Sequence, residues 1–149
     1  MPETRRFEEE RKEIRMQKEM IIVAVIIVVV VVVNITTDKY TKNCVSEINM
    51  KLEEICDMAN ASLEEEKENN QIIEKMDVLR EEWSNFSKKL AFYIEHDEIE
   101  KVDTSIVEIN EYIKLGLYDE AIPEIRKCSF ILEHIKNKGE LQVINLSLI

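Results

Sequence analysis

Sixteen consecutive residues, Met20 to Ile35, carry no charge, no glycine and no proline, and Asn34 is their only strongly polar side chain. An all-round apolar run is stable only when it is buried in protein or given to lipid. At the helical rise of 1.5 Å per residue the run covers about 24 Å, short of the roughly 20 residues that a 30 Å hydrocarbon core requires. Met16 and Gln17 extend it on one side and Thr36 and Thr37 on the other. Lys18 and Lys39 stand near the two ends, where their ammonium groups can reach the headgroups. The β-branched content would suit a buried strand. Buried strands run about 4–8 residues, however, and no second segment of similar character is present to pair with this one. In lipid a lone segment has to be helical, because only an intra-segment ladder satisfies its backbone. A cleavable signal peptide is disfavoured as well. The residues that follow, Asn34-Ile35-Thr36-Thr37-Asp38-Lys39, hold no pair of small residues spaced for cleavage, and no lipoprotein-type site precedes Cys44. Residues 20–36 are therefore expected to be an uncleaved transmembrane signal anchor in contact with the lipid bilayer.

The flanks set the expected orientation. Arg5, Arg6, Arg11, Lys12, Arg15 and Lys18 precede the run, whereas only Lys39, Lys42 and Lys51 follow it over a similar length. The rule that basic residues stay inside, which counts Lys and Arg alone, predicts a cytoplasmic segment 1–19 and an extracytoplasmic domain 37–149. Of the chain's 20 Lys+Arg and 31 Asp+Glu, residues 1–19 hold six of each, so the whole net charge of −11 falls on the later part. An acidic surface repels phosphate backbones, which excludes a nucleic-acid partner.

Only two glycines occur, Gly116 and Gly139. Phosphate-cradling loops and dinucleotide folds need several in one turn, so both readings fall. Cys44, Cys56 and Cys128 form no Cys-x-x-Cys pair and have no histidine at ligand spacing, which removes a zinc site. An external domain would allow one disulfide among them. Their apolar neighbours favour small buried hydrophobes instead.

The remainder reads as helix. Residues 3–19 alternate charge at i,i+4 spacing, with Phe7 and Ile14 among them. After an expected break at Asn34–Asp38, a stripe of Val45, Ile48, Leu52, Ile55 and Ala59 predicts a helix from about Thr41. Residues 64–70 lack any apolar side chain, and Asn69–Asn70 favour a break there. Ile72, Met76, Leu79, Trp83, Phe86, Leu90 and Tyr93 alternate by four and three, predicting the longest helix of the domain, ending near Glu95 and packed nearly antiparallel against its neighbours. Ile99, Val102, Ile106, Ile109 and Ile113 define a third helix that stops at Gly116. Ala121, Ile122, Ile125, Cys128, Leu132 and Ile135 define a fourth, with Asp119 as its cap, Pro123 in its first turn and its end before Gly139. The apolar tail Leu141–Ile149 is expected to lie as an extended strap. Leu115–Ile122 is similar to one tetratricopeptide hairpin, but a single copy makes no array, and a tight helical hairpin is the simpler reading.

Candidate chemistry is sparse. His96, Glu100 and Asp103 are spaced to share a helix face, yet acidic helices generate such triples by chance, and the Glu-x-x-His pattern of di-iron bundles is missing. His96 and Glu98 could form an acid–base pair, but no nucleophile or oxyanion loop accompanies them. Four Asn-x-Ser/Thr sequons, at Asn34, Asn60, Asn85 and Asn145, are read as chance matches. No catalytic, cofactor-binding or metal-ligating residue is assigned.

The marks along the chain are Glu82-Trp83, then Phe92 to Glu100 (FYIEHDEIE), Ser105 to Ile109, Glu111 to Ile113, Tyr118 to Ala121 and Leu132 to Ile135, before an apolar tail. Together with the anchor, this layout resembles a family of small single-anchor proteins of Clostridia-type bacteria classed as a domain of unknown function. The resemblance covers residues 20–149 and is most specific from Trp83 to Ile99. It implies a helical fold, a membrane location and a bacterial origin, and no substrate. The valine-rich anchor departs from the pattern, as does Lys136, where relatives often carry proline. The expectation is an all-α chain, with one N-terminal transmembrane helix followed by a small antiparallel helical bundle. Its role is expected to be that of a non-enzymatic envelope protein whose acidic domain binds a protein partner or a second copy. The alternative is a ligand-sensing or accessory subunit of a membrane complex.

Overall fold

The computed structural model describes the backbone of residues 2–65 and 70–146, and the side chains of 11–64 and 70–138. Four α-helices follow in order: α1 Pro2–Glu65, α2 Asn70–Leu90, α3 His96–Lys114 and α4 Tyr118–Leu146. The described residues contain no strand, so the valine run is helical, as a lone lipid-exposed segment would have to be. Two compact units divide the chain, residues 1–36 and 37–149.

Among the described residues of the first unit helix is the only element. Arg15 and Glu19 pair at 3.1 Å across one turn, and Thr36 Oγ1 donates to the Val32 carbonyl at 2.8 Å. The threonine thereby meets its hydroxyl's need within the helix instead of ending it. The break expected at Asn34–Asp38 does not occur, because no glycine or proline interrupts the ladder and α1 is continuous there.

In residues 37–149 the stripes read from spacing form the core. Val45, Ile48, Leu52 and Ala59 of α1, Ile72, Met76 and Leu79 of α2, Val102 and Ile109 of α3, and Ala121, Cys128 and Leu132 of α4 are all fully buried. Cross-helix bonds give the direction of each element. Lys51 meets Glu82 and Glu54 meets Lys75, so α2 runs antiparallel to α1. Ser105 bonds Glu124 while Glu98 bonds Lys138, so α4 returns along α3. Asn49 of α1 reaches Glu133 of α4, closing an up-down-up-down bundle.

The terminations correct several expectations. The α2 helix ends at Leu90, five residues early, and the next turn tightens with Phe92 N–H donating to Lys89 and Tyr93 N–H to Leu90. Leu90 is buried and Ile94 half-buried. Holding both on the core turns the chain, which leaves Tyr93 exposed and outside the stripe. At 21 residues α2 is shorter than the 29-residue α4. At the end of α3, Gly116 stands at φ 69°, with its N–H bonded to Ile113 and that of Leu117 to Tyr112. This six-to-one and five-to-two pattern is a Schellman motif, and glycine meets the left-handed angle without strain.

Asp119 does not cap α4. The helix already begins at Tyr118, with the Leu117 carbonyl accepting from Glu120 and Ala121, and Asp119 lies in the first turn, where its charge favours the amide end. Pro123 is accordingly inside the helix, two residues deeper than expected, on the exposed side. Gly139 does not end α4, and residues 141–146 are helical instead of an extended strap. One interior glycine costs only about 1 kcal/mol, which the good helix formers around it offset. The connection 66–69 and the tail residues 147–149 lie outside the described residues.

Candidate functional site

The acidic junction resolves differently from the triple His96, Glu100 and Asp103. His96 opens α3 and is exposed, and Glu100 is exposed as well. Asp103 is engaged elsewhere, because the buried Trp83 donates its indole Nε1–H to Asp103 Oδ1 and so joins α2 to α3. Glu98 is the residue drawn in. Lys138 donates to it at 3.0 Å and to Glu95 at 2.8 Å, and His134 Nε2 lies 3.9 Å away. Lys138 is raised by its bonds to Glu95 and Glu98. The contact thus ties the start of α3 to the last turns of α4. Among the described residues no group of three or more His, Cys, Asp or Glu side chains stands in a metal-holding arrangement.

A second polar cluster joins α3 and α4. Buried Ser105 donates its hydroxyl to Glu124 Oε1 at 2.7 Å, and Lys127 donates to the same carboxylate at 2.9 Å. Burial pushes Glu124 up, but the bonds from Lys127 and Ser105 outweigh it and hold the carboxyl below its ordinary value. On the opposite side Glu133 accepts from Asn49 at 3.0 Å and from Lys136 at 3.2 Å. The Ser105–Glu124 and Asn49–Glu133 bonds cross helix seams, while Lys127 and Lys136 pair within α4, and their chemistry is that of register and orientation.

The three cysteines are free. Burial pushes the Cys128 thiol up to about 12 and raises Cys44 too, so both stay protonated and unreactive at neutral pH. Tyr40, one turn before Cys44, is likewise raised to about 12 by burial and by the neighbouring thiol.

Two surface features carry more information. The first is the uncharged run, whose fourteen large apolar side chains from Met20 to Ile35 are each 39–72% exposed. The second is an open groove between α1 and α2, lined by Met50, Lys51, Glu54, Gln71, Glu74, Lys75 and Val78 and enclosing about 880 Å³. Met50 is 64% and Val78 50% exposed. Spacing did not single out this groove. Its only trace in the sequence is that Met50 and Val78 fall off the stripes of their helices, where a polar residue would be ordinary. Lys51 and Lys75 balance Glu54 and Glu74 around it, so the floor is apolar and the rim carries both signs.

These elements define the class: a small up-and-down helical bundle preceded by an apolar helix long enough, by length and composition, to cross a membrane. The chain belongs to the DUF4363 family, a domain of unknown function, whose profile matches residues 39–146. Comparisons with curated proteins and with solved structures return no match.

Proposed function

We propose that this chain is a single-pass membrane protein of the bacterial envelope that works by binding another protein and not by catalysis. Residues 20–36 anchor it, residues 1–19 face the cytoplasm and residues 37–149 stand outside. The observation that carries this reading is the exposure of the apolar run. Covering fourteen Val, Ile and Met side chains with lipid, at about 1.5 kcal/mol or more each, is worth of order 20 kcal/mol, which no described contact supplies. Six basic residues before the run against three after it support the orientation.

The binding role is supported by the α1–α2 groove, whose apolar floor and mixed-charge rim suit the ridge of an amphipathic partner helix or a second copy. The groove also supports a second reading, an extracytoplasmic ligand sensor or accessory subunit, since its size falls within the usual range of about 300–1,000 Å³ for small-molecule sites. Two measurements test the proposal. Protease added to intact cells should degrade the C-terminal domain, and full protection would refute the orientation. Crosslinking of the intact protein in membranes should trap a partner or a second copy through the groove. Loss of that adduct in Met50→Glu supports the binding role, and an unchanged pattern refutes this site.

A further inference from the structure

The α2–α3 turn presents the most exposed large hydrophobic side chain among the described residues. Phe92 is 83% exposed and Tyr93 beside it 55%, with ring centroids 6.3 Å apart. Neither belongs to the core, which Leu90 and Ile94 serve on either side. Lys88 and Lys89 close α2 just before them. Lys88 has no ion-pair partner among the described residues, and Lys89 Nζ lies 5.8 Å from the centre of the Tyr40 ring. That contact puts the turn at the end of the bundle where the domain begins. Tyr40 follows Ile35, the last residue of the apolar run, by five positions. Five residues reach about 8 Å as helix and at most about 18 Å extended, so the turn cannot stand far from the point where a span would leave the bilayer.

We propose that this turn is a second, peripheral contact with the same membrane. Phe92 and Tyr93 enter the boundary between headgroups and acyl chains, while Lys88 and Lys89 face lipid phosphates. The inference rests on the anchoring reading above. Aromatic rings prefer this depth because one end is apolar and the other tolerates water, and neighbouring basic residues add attraction to anionic lipid. The net negative charge of the chain does not oppose it locally. Around the turn, Lys88, Lys89, Lys101 and Lys138 match Glu95, Asp97, Glu98 and Glu100 in number, with Lys138 shared by Glu95 and Glu98 and Lys101 held by Asp97, and more distant carboxylates are screened beyond about 8 Å at physiological salt.

The full chain carrying Phe92→Trp, reconstituted in vesicles of phosphatidylcholine and phosphatidylglycerol brominated high on the acyl chains, tests this. The added emission should lose about half its intensity, as expected for a ring 5–10 Å into the boundary. The native chain, whose only tryptophan is the buried Trp83, and a Val107→Trp control on the exposed side of α3 should be nearly unaffected. Adding Lys88→Gln and Lys89→Gln should weaken the quenching. Phe92→Trp emission untouched by bromine, in protein that floats with the vesicles, overturns the contact and leaves the anchor intact. A blue shift without quenching puts protein against the turn instead of lipid, and equally overturns it. Protein that does not float with the vesicles overturns the anchor, and this inference with it.

Discussion

Trp83 offers the sharpest test of how the bundle is held. It is 3% exposed on the core face of α2, and its indole N–H donates to Asp103 on α3. Trp83→Phe keeps an aromatic ring but removes this donor and part of the volume. A hydrogen bond to a charged group contributes about 1.5–3 kcal/mol net, and because Asp103 is exposed to competing water the lower end applies. The smaller ring adds about 1 kcal/mol for incomplete filling, for a total near 2.5 kcal/mol. Asp103→Ala leaves a buried N–H unpaired, at about 1–2 kcal/mol, offset by a few tenths from the better helix propensity of alanine. The double mutant removes both groups, so the cycle isolates the bond. A coupling energy of about 1 kcal/mol is expected. Denaturant unfolding of the full chain in non-ionic micelles, followed by far-UV circular dichroism, measures all four corners. Coupling below about 0.3 kcal/mol, the usual scatter of independent sites, would refute the claim that this bond ties α2 to α3.

Four further outcomes follow from the same geometry. Ser105→Ala should cost about 1 kcal/mol by removing a buried donor to Glu124, read as a fall in unfolding midpoint at constant slope. Because the folded-state value of Glu124 is lowered from 4.5, its contribution is full above that pH and is lost as pH falls through the lowered value; Glu124→Gln should flatten this part of the acid limb, and an unchanged limb would contradict the assignment. In thiol alkylation of the native protein at mildly alkaline pH, half-buried Cys56 should react first, with Cys44 and Cys128 protected until unfolding, as mass spectrometry of timed samples would show. Gly116→Ala should cost about 1–2 kcal/mol through its positive φ alone, since nothing lies within 4 Å of the new methyl, and Gly116→Asn should cost less.

Much of the fold was legible in the spacing of apolar residues. Every position assigned to the α1, α3 and α4 stripes is buried in the bundle, as is most of the α2 stripe, because a helix that packs on one face repeats its burial every three to four residues. Ends were less legible. Where a local device exists it was found, as at Gly116. Where none exists the spacing misled, as at Leu90, whose turn is set by Leu90 and Ile94 both reaching the core. Gly139 misled in the other direction, since a single glycine is a weak breaker inside a good helix. The candidate surfaces were nearly silent. Met50 and Val78 look like ordinary scatter until α1 and α2 are set side by side, and Phe92 reads as part of a continuing helix until the chain turns.

The sequence by itself determined the helical class, the apolar run and the core faces, because these depend on chemistry repeated along one chain direction. It also determined the charge asymmetry on which the proposed orientation rests. Only the tertiary structure decided which polar residues meet. It put Asp103 under Trp83 and gave Glu98 to Lys138, instead of gathering His96, Glu100 and Asp103. It also brought Lys89 over Tyr40, forty-nine positions earlier in the chain. Such pairings depend on the register between helices distant in sequence. That register is set by how whole faces interdigitate, which no single stretch of residues encodes.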